Sequence, residues 1–99
     1  MFVHNVMFKW KPGTTEANIA EMKAALATLP AAVPSIRSYI FGSDLGMGAH
    51  GNSWDFAIVA QFDDEVGWRA YMDHPVHAKV RDESLAPRIA ERASVQFTY

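Results

Sequence analysis

The sequence predicts an α+β fold, a split βαβ plan with a four-stranded antiparallel sheet and helices on one of its faces. Three observations carry this expectation. The chain starts and ends on segments of alternating polarity, Phe2 to Lys11 and Ala93 to Tyr99, which is the period of a half-buried strand. Between them lie two helix-like regions, one with an apolar stripe, and two further strand-like runs. Their order is strand, helix, strand, strand, helix pair, strand, the ferredoxin-like arrangement.

Each element has its origin in local chemistry. In the first strand Phe2, His4, Val6, Phe8 and Trp10 share one face, and Val3, Asn5, Met7, Lys9 and Lys11 the other. Pro12-Gly13 ends it as a turn pair. Thr14 or Thr15 then caps a helix whose first-turn Glu16 suits the dipole. Ile19, Met22, Leu26 and Leu29 form its apolar stripe, and Pro30 and Pro34 close it. Ile36 to Phe41 reads as the second strand and Trp54 to Phe62 as the third. The third carries Phe56, Ile58, Ala60 and Phe62 on one face and Ala57 and Val59 on the other, so both faces need cover. Asp63 or Asp64 caps a short helix with Val66, Trp68, Ala70 and Tyr71. A second helix starts at Pro75 and runs to about Leu85, limited by Pro87. The last strand places Val95, Phe97 and Tyr99 on one side.

A length of 99 residues is that of one domain, spanning residues 1–99, and 49% hydrophobic residues is an ordinary globular share. The net charge of -2, with no basic run, argues against nucleic acid and anionic membrane as partners. With no cysteine, disulfide and thiolate chemistry are excluded. No apolar run has the length of a membrane span and the start is not a signal peptide, so the expected location is cytoplasmic. One layer of helices leaves the far sheet face apolar and open, and two such faces closing on each other predict a homodimer.

Gly46 to Gly51 fits G-x-G-x-x-G, but the next element is a strand and not the helix that a dinucleotide pyrophosphate requires. It reads as a hairpin loop with His50 in solvent, and NAD binding is rejected.

The stretch Tyr71-Met-Asp-His74-Pro-Val-His77 holds two of the four histidines. Pro75 takes the first helical position, which puts His74 just outside the helix and His77 in its first turn. There the helix end disfavours imidazolium, and a neutral ring is what a general base needs. Tyr71, ending the preceding helix, supplies a proton or an oxyanion donor to the same corner. The other reading is structural: His-Pro starts helices by steric preference, and Tyr71 packs its ring while its hydroxyl reaches water. His4, on the apolar face of the first strand, needs a hydrogen-bond partner if buried and would then meet Tyr71. His74, His77, Asp73 and His4 lack the HExxH pattern and any sulfur ligand, so no metal is assigned. Neither His77 nor Tyr71 is expected to anchor the core.

In order along the chain come H-x-V-x-F-K-x-K at His4 to Lys11, Phe41-Gly42-x-Asp44, D-F-A-I-V-A-Q-F at 55 to 62, and Y-x-x-H-P-x-H at Tyr71 to His77. A short strand with Phe97 closes the sequence. This set resembles the stress-responsive A/B barrel (Dabb) domain over essentially the whole chain. The resemblance implies a dimeric α/β barrel of two ferredoxin-like subunits. The family includes plant stress-induced proteins and olivetolic acid cyclase, a polyketide cyclase that works by aldol condensation. By that resemblance His77 is the base and Tyr71 assists, with His74 and His4 lining the pocket. Phe56 stands where the cyclase has a pocket histidine, so the substrate contacts differ.

These readings leave two functions from different classes. One is a pocket for a small organic ligand, with cofactor-independent proton abstraction next to a carbonyl. The other is a non-catalytic stress-response or assembly domain in which H-P-x-H shapes a helix start.

Overall fold

The computed structural model describes residues 1–48 and 53–99, so His50 and the centre of the glycine-rich stretch lie outside the described residues. The elements are β1 (Phe2–Trp10), α1 (Glu16–Leu26), α2 (Leu29–Ala32), β2 (Ser38–Ser43), β3 (Phe56–Phe62), α3 (Glu65–Met72), α4 (Pro75–Lys79) and β4 (Ile89–Thr98). A π-helical segment, Val80–Leu85, and a 3-10 turn, Ala86–Arg88, carry the chain from α4 to β4. The four strands form one antiparallel sheet in the order β2-β3-β1-β4, the ferredoxin-like fold.

Caps and turns sit where short-range chemistry puts them. Thr15 caps α1 through a reciprocal pair: its hydroxyl accepts from the Asn18 N–H, and the Asn18 side chain accepts from the Thr15 N–H. Gly13, at φ 87, takes the left-handed turn after β1. Asp64 caps α3 by accepting from the Gly67 N–H.

The first helix is shorter than its apolar stripe predicts. It stops at Leu26, where the Thr28 hydroxyl bonds back to the Ala25 carbonyl, and Pro30 opens the separate turn α2 instead of closing α1. Leu29 is fully buried all the same, because the break re-aims it at the core. β2 begins at Ser38 and not at Ile36, whose N–H is held in a turn by the Val33 carbonyl. β3 begins at Phe56, because the Asp55 carboxylate turns aside to accept from the Trp10 N–H at 2.9 Å. That bond lies beside the bulge between Lys9 and Trp10, past which β4 continues back to Ile89, earlier than alternation alone implies.

Strand register sorts the residues into two faces. Phe2, His4, Val6 and Phe8 of β1 lie opposite Phe62, Ala60, Ile58 and Phe56 of β3, and all of these point to the helices. With Met22, Leu26, Leu29, Val33, Tyr71, Val80 and Leu85 they make the core. The opposite face carries Met7, Val59, Ile40, Val95 and Phe97, and Ile40, Val95 and Phe97 stay at least half exposed. Among the described residues no element covers it, and no helix is long and apolar enough to cross a membrane.

Phe62 has no exposed surface and packs against Tyr71 at 5.3 Å between ring centroids. Phe62→Ala is expected to cost about 3–5 kcal/mol. Urea unfolding at one fixed protein concentration checks this, and a loss below about 1 kcal/mol would show that the core does not centre there.

Candidate functional site

α3 and α4 meet at a corner formed by Asp73 and His74, and there the sequence places its polar groups against apolar ones. His74 is the N-cap of α4: its Nδ1 accepts from the Val76 N–H at 3.1 Å. Pro75 at the first helical position needs no donor, so one turn is enough to fix the start. This puts His77 on the inner side, where it is buried, with Nδ1 3.2 Å from the Met72 carbonyl oxygen. A carbonyl only accepts, so in the neutral ring Nδ1 carries the proton and Nε2 keeps its lone pair.

Tyr71 packs its ring 4.3 Å from that of His77 and 6.0 Å from that of His4. Its hydroxyl lies 3.0 Å from the Tyr39 hydroxyl on β2. Burial raises the pKa of both phenols, so both are protonated in the physiological range and one O–H of the pair remains available. Tyr71 is only 3% exposed and belongs to the core, against the expectation that it anchors nothing. The turn from α3 into α4 leaves its ring nowhere to go but inward, against Phe62, His4 and His77.

His4 faces the helices and is buried, and it has the partners that burial demands. Its Nδ1 accepts from the Trp68 indole N–H at 3.2 Å and from the Gln96 amide at 2.8 Å. Two donors on Nδ1 put the ring proton on Nε2, the tautomer opposite to that of His77. Burial, with a smaller contribution from the charge of His77, lowers its pKa to about 4. The pKa of His77 is lowered too, chiefly by burial; the Met72 hydrogen bond opposes this and the charge of Arg81 adds to it. Burial is therefore the main reason His77 stays neutral, and the helix end invoked from the sequence is not needed for it.

These side chains border a cavity of about 150 Å³ between β1, β4 and the α4 region. His4, Tyr71 and His77 line it together with Val6, Leu26, Leu29, Val80 and Leu85. The π-helical segment shapes one wall. On an α-helix residues five apart point roughly 140° away from each other at ~100° per residue. The wider i→i+5 turn lets both Val80 and Leu85 bury toward the cavity. His74 lies outside the lining, on the cap. Phe56 is not part of the lining and packs among Phe8, Trp10 and Phe41. Tyr39, Trp68, Gln96, Arg81 and Arg92 contribute to the site without a sequence motif. Only strand register, which no local pattern reveals, brings Gln96 opposite His4. Among the described residues no group of three or more His, Cys, Asp or Glu is placed to hold a metal ion.

An antiparallel ferredoxin-like sheet with one helical layer and a buried His/Tyr cluster beneath it defines a class of small α+β domains. The stress responsive A/B barrel domain, Dabb, matches residues 2–99, and the chain belongs to that family. No curated protein matches it. A dimeric ferredoxin-like protein of unknown function from Thermobifida fusca is 41% identical, with a TM-score of 0.88 over 99% of this chain and 90% of that one. A dimeric protein of unknown function and ferredoxin-like fold from Bacteroides fragilis is 25% identical, with a TM-score of 0.84 over 99% and 95%. The hydroxynitrile lyase of Passiflora edulis shares the fold at 16% identity and a TM-score of 0.84, over 97% and 90%.

The depressed pKa of His4 has a stability consequence. Unfolded, His4 binds a proton near ~6.5, whereas folded it does so only near about 4, so the unfolded state holds more protons between these values. Stability is therefore full above about pH 6.5 and falls as the pH drops, by about 2 kcal/mol from this residue between pH 6.5 and 5. His4→Asn keeps an acceptor for Trp68 and does not titrate. Urea midpoints at pH 7 and 5 should differ less in the variant than in the wild type. An unchanged difference would show that the His4 ring is not held neutral by burial.

Proposed function

We propose that this protein is a homodimer in which each subunit holds a small organic ligand and moves a proton next to a carbonyl, without a cofactor. The observation that carries the reading is His77, neutral, buried, with Nδ1 committed to Met72 and the Nε2 lone pair left open, packed against Tyr71 beside an apolar cavity. Nε2 of His77 takes a proton from the carbon next to the ligand carbonyl. The Tyr71 hydroxyl donates a hydrogen bond to the carbonyl oxygen as it becomes an enolate oxygen. In a polyketide-like ligand the enolate carbon then attacks a second carbonyl carbon, forming a C–C bond. The new alkoxide takes back the proton held by His77, which regenerates the base. His4, with its proton on Nε2, adds a donor to the same wall.

The homodimer half of the proposal rests on the open sheet face, with Ile40, Val95 and Phe97 exposed on it. Family relatives from Thermobifida fusca and Bacteroides fragilis are described as dimeric, which supports it. Facing sheets would bury these side chains and complete an α/β barrel.

The chemistry is tested with 4-phenyl-2-butanone in deuterium oxide, where NMR reads exchange of the hydrogens next to the carbonyl. His77→Ala is expected to slow the catalysed exchange by about a hundredfold or more, and Tyr71→Phe by less. Because burial lowers the pKa of His77, the rate should be level at neutral pH and fall only as the pH drops below the usual histidine range. Exchange no faster than with buffer alone, or unaltered by His77→Ala, leaves the non-catalytic reading.

Assembly is tested by sedimentation equilibrium. The expected species has twice the chain mass of 11.0 kDa, and Ile40→Glu with Val59→Glu should shift it to monomer. A wild type that stays at the chain mass at micromolar concentration would sink the dimer.

A further inference from the structure

The cavity has an apolar interior and a charged mouth of one sign. Among the described residues that line it, the only formal charges are Arg81 and Arg92, and no carboxylate borders it. The two come from different elements, Arg81 from the π-helical segment and Arg92 from β4, so the chain does not bring them together by simple proximity. Arg92 pairs in register with Phe8 and Ser94 with Val6, which sets both on the side of the sheet that faces the cavity. Glu91, the adjacent acid, points to the opposite face, where it meets Lys9 at 3.7 Å. Arg92 takes part in none of the ion pairs among the described residues. Arg81 is held by Asp82 in a forked pair, Nε–H to Oδ1 at 2.9 Å and a longer second contact to Oδ2 at 3.4 Å, which leaves three of its five guanidinium N–H donors for an anion. Two positive groups facing a carboxylate-free apolar cavity form a site for an anion with an apolar body.

We infer that the ligand is a small organic acid whose carboxylate sits at the mouth between Arg81 and Arg92, while its apolar body fills the cavity toward His77 and Tyr71. The inference rests on the pocket reading proposed above. The volume of about 150 Å³ is that of a site for one six-membered ring, since engineered apolar cavities of this size hold benzene. The chemistry of the two ends sets the orientation. The carboxylate stays where water and arginine solvate it, and the reacting carbonyl goes to the neutral, buried end where a charged group would be penalised. A keto acid with one ring or a short alkyl chain satisfies both ends. The Ser94 hydroxyl, beside Arg92 on the same strand face, offers a further donor to the carboxylate.

Titration calorimetry at pH 7.5 and low salt tests this with 3-phenylpropanoate and its uncharged amide, 3-phenylpropanamide. The acid is expected to bind about tenfold or more tighter than the amide, as hydrogen bonds to charged groups provide. Arg92→Met and Arg81→Met, at side chains whose heads reach solvent, should each weaken the acid and leave the amide unchanged. Raising the salt should weaken the acid alone. Equal affinities of acid and amide, or a preference for the acid that survives in the double variant, overturn the inference while the cavity reading stands. Binding of neither compound overturns both.

Discussion

β1 is the strand on which the rest of the molecule is set. It lies between β3 and β4, so its backbone is hydrogen-bonded on both edges and its pleat is fixed along its whole length. With a side-chain period of two, that single constraint decides which residues each face of the sheet presents. A shift of one residue would send Phe2, His4, Val6 and Phe8 to the far side of the sheet and bring Asn5 and Lys9 under the helices. In the register adopted, His4 meets Trp68 and Gln96, Val6 and Phe8 floor the cavity, and the apolar odd face is left for a second layer.

The site is governed by what burial does to two imidazoles. Both are neutral, but their fixed hydrogen bonds select opposite tautomers: His4 accepts at Nδ1 and His77 donates there. One ring therefore offers a proton at Nε2 and the other a lone pair. A single cavity wall thus presents a donor and a base although the two residues are of one type. The Tyr39–Tyr71 pair adds a phenolic proton that burial keeps in place. Trp68, Gln96 and Tyr39, which hold His4 and Tyr71, do not line the cavity, so part of the polarity of its wall is set by groups outside it.

The wall opposite the sheet shows how a departure from α-helical geometry is used. A continued α-helix after Lys79 would turn either Val80 or Leu85 away from the core. The π-helical turn keeps both inward and leaves Arg81 at the mouth. The same fold in the hydroxynitrile lyase of Passiflora edulis, at 16% identity, shows that this framework is separable from the residues placed in it. In this chain the framework carries a His/Tyr interior, with Arg81 and Arg92 among the residues that line the same cavity.

Sequence alone determined the features that short-range physics controls. Alternation in Phe2 to Lys11 and Trp54 to Phe62 named the strands and sorted their side chains into two faces, because successive side chains on a strand point to opposite sides; which face lies under the helices was decided by the packing. Thr15, Asp64 and His74-Pro75 marked helix starts, because caps depend on atoms three residues apart or fewer. The H-P-x-H stretch pointed to the corner where His77 and Tyr71 border the cavity. Tertiary structure decided the rest. The breaks at Thr28 and at the π-helical turn answer to packing and not to propensity. The partners Tyr39, Trp68 and Gln96 reach Tyr71 and His4 across 32, 64 and 92 residues of chain. Their approach is set by strand register and helix placement, which are properties of the assembled sheet. For the same reason Arg81 and Arg92, ordinary surface arginines in the sequence, became the two charges of one cavity only when β4 paired with β1.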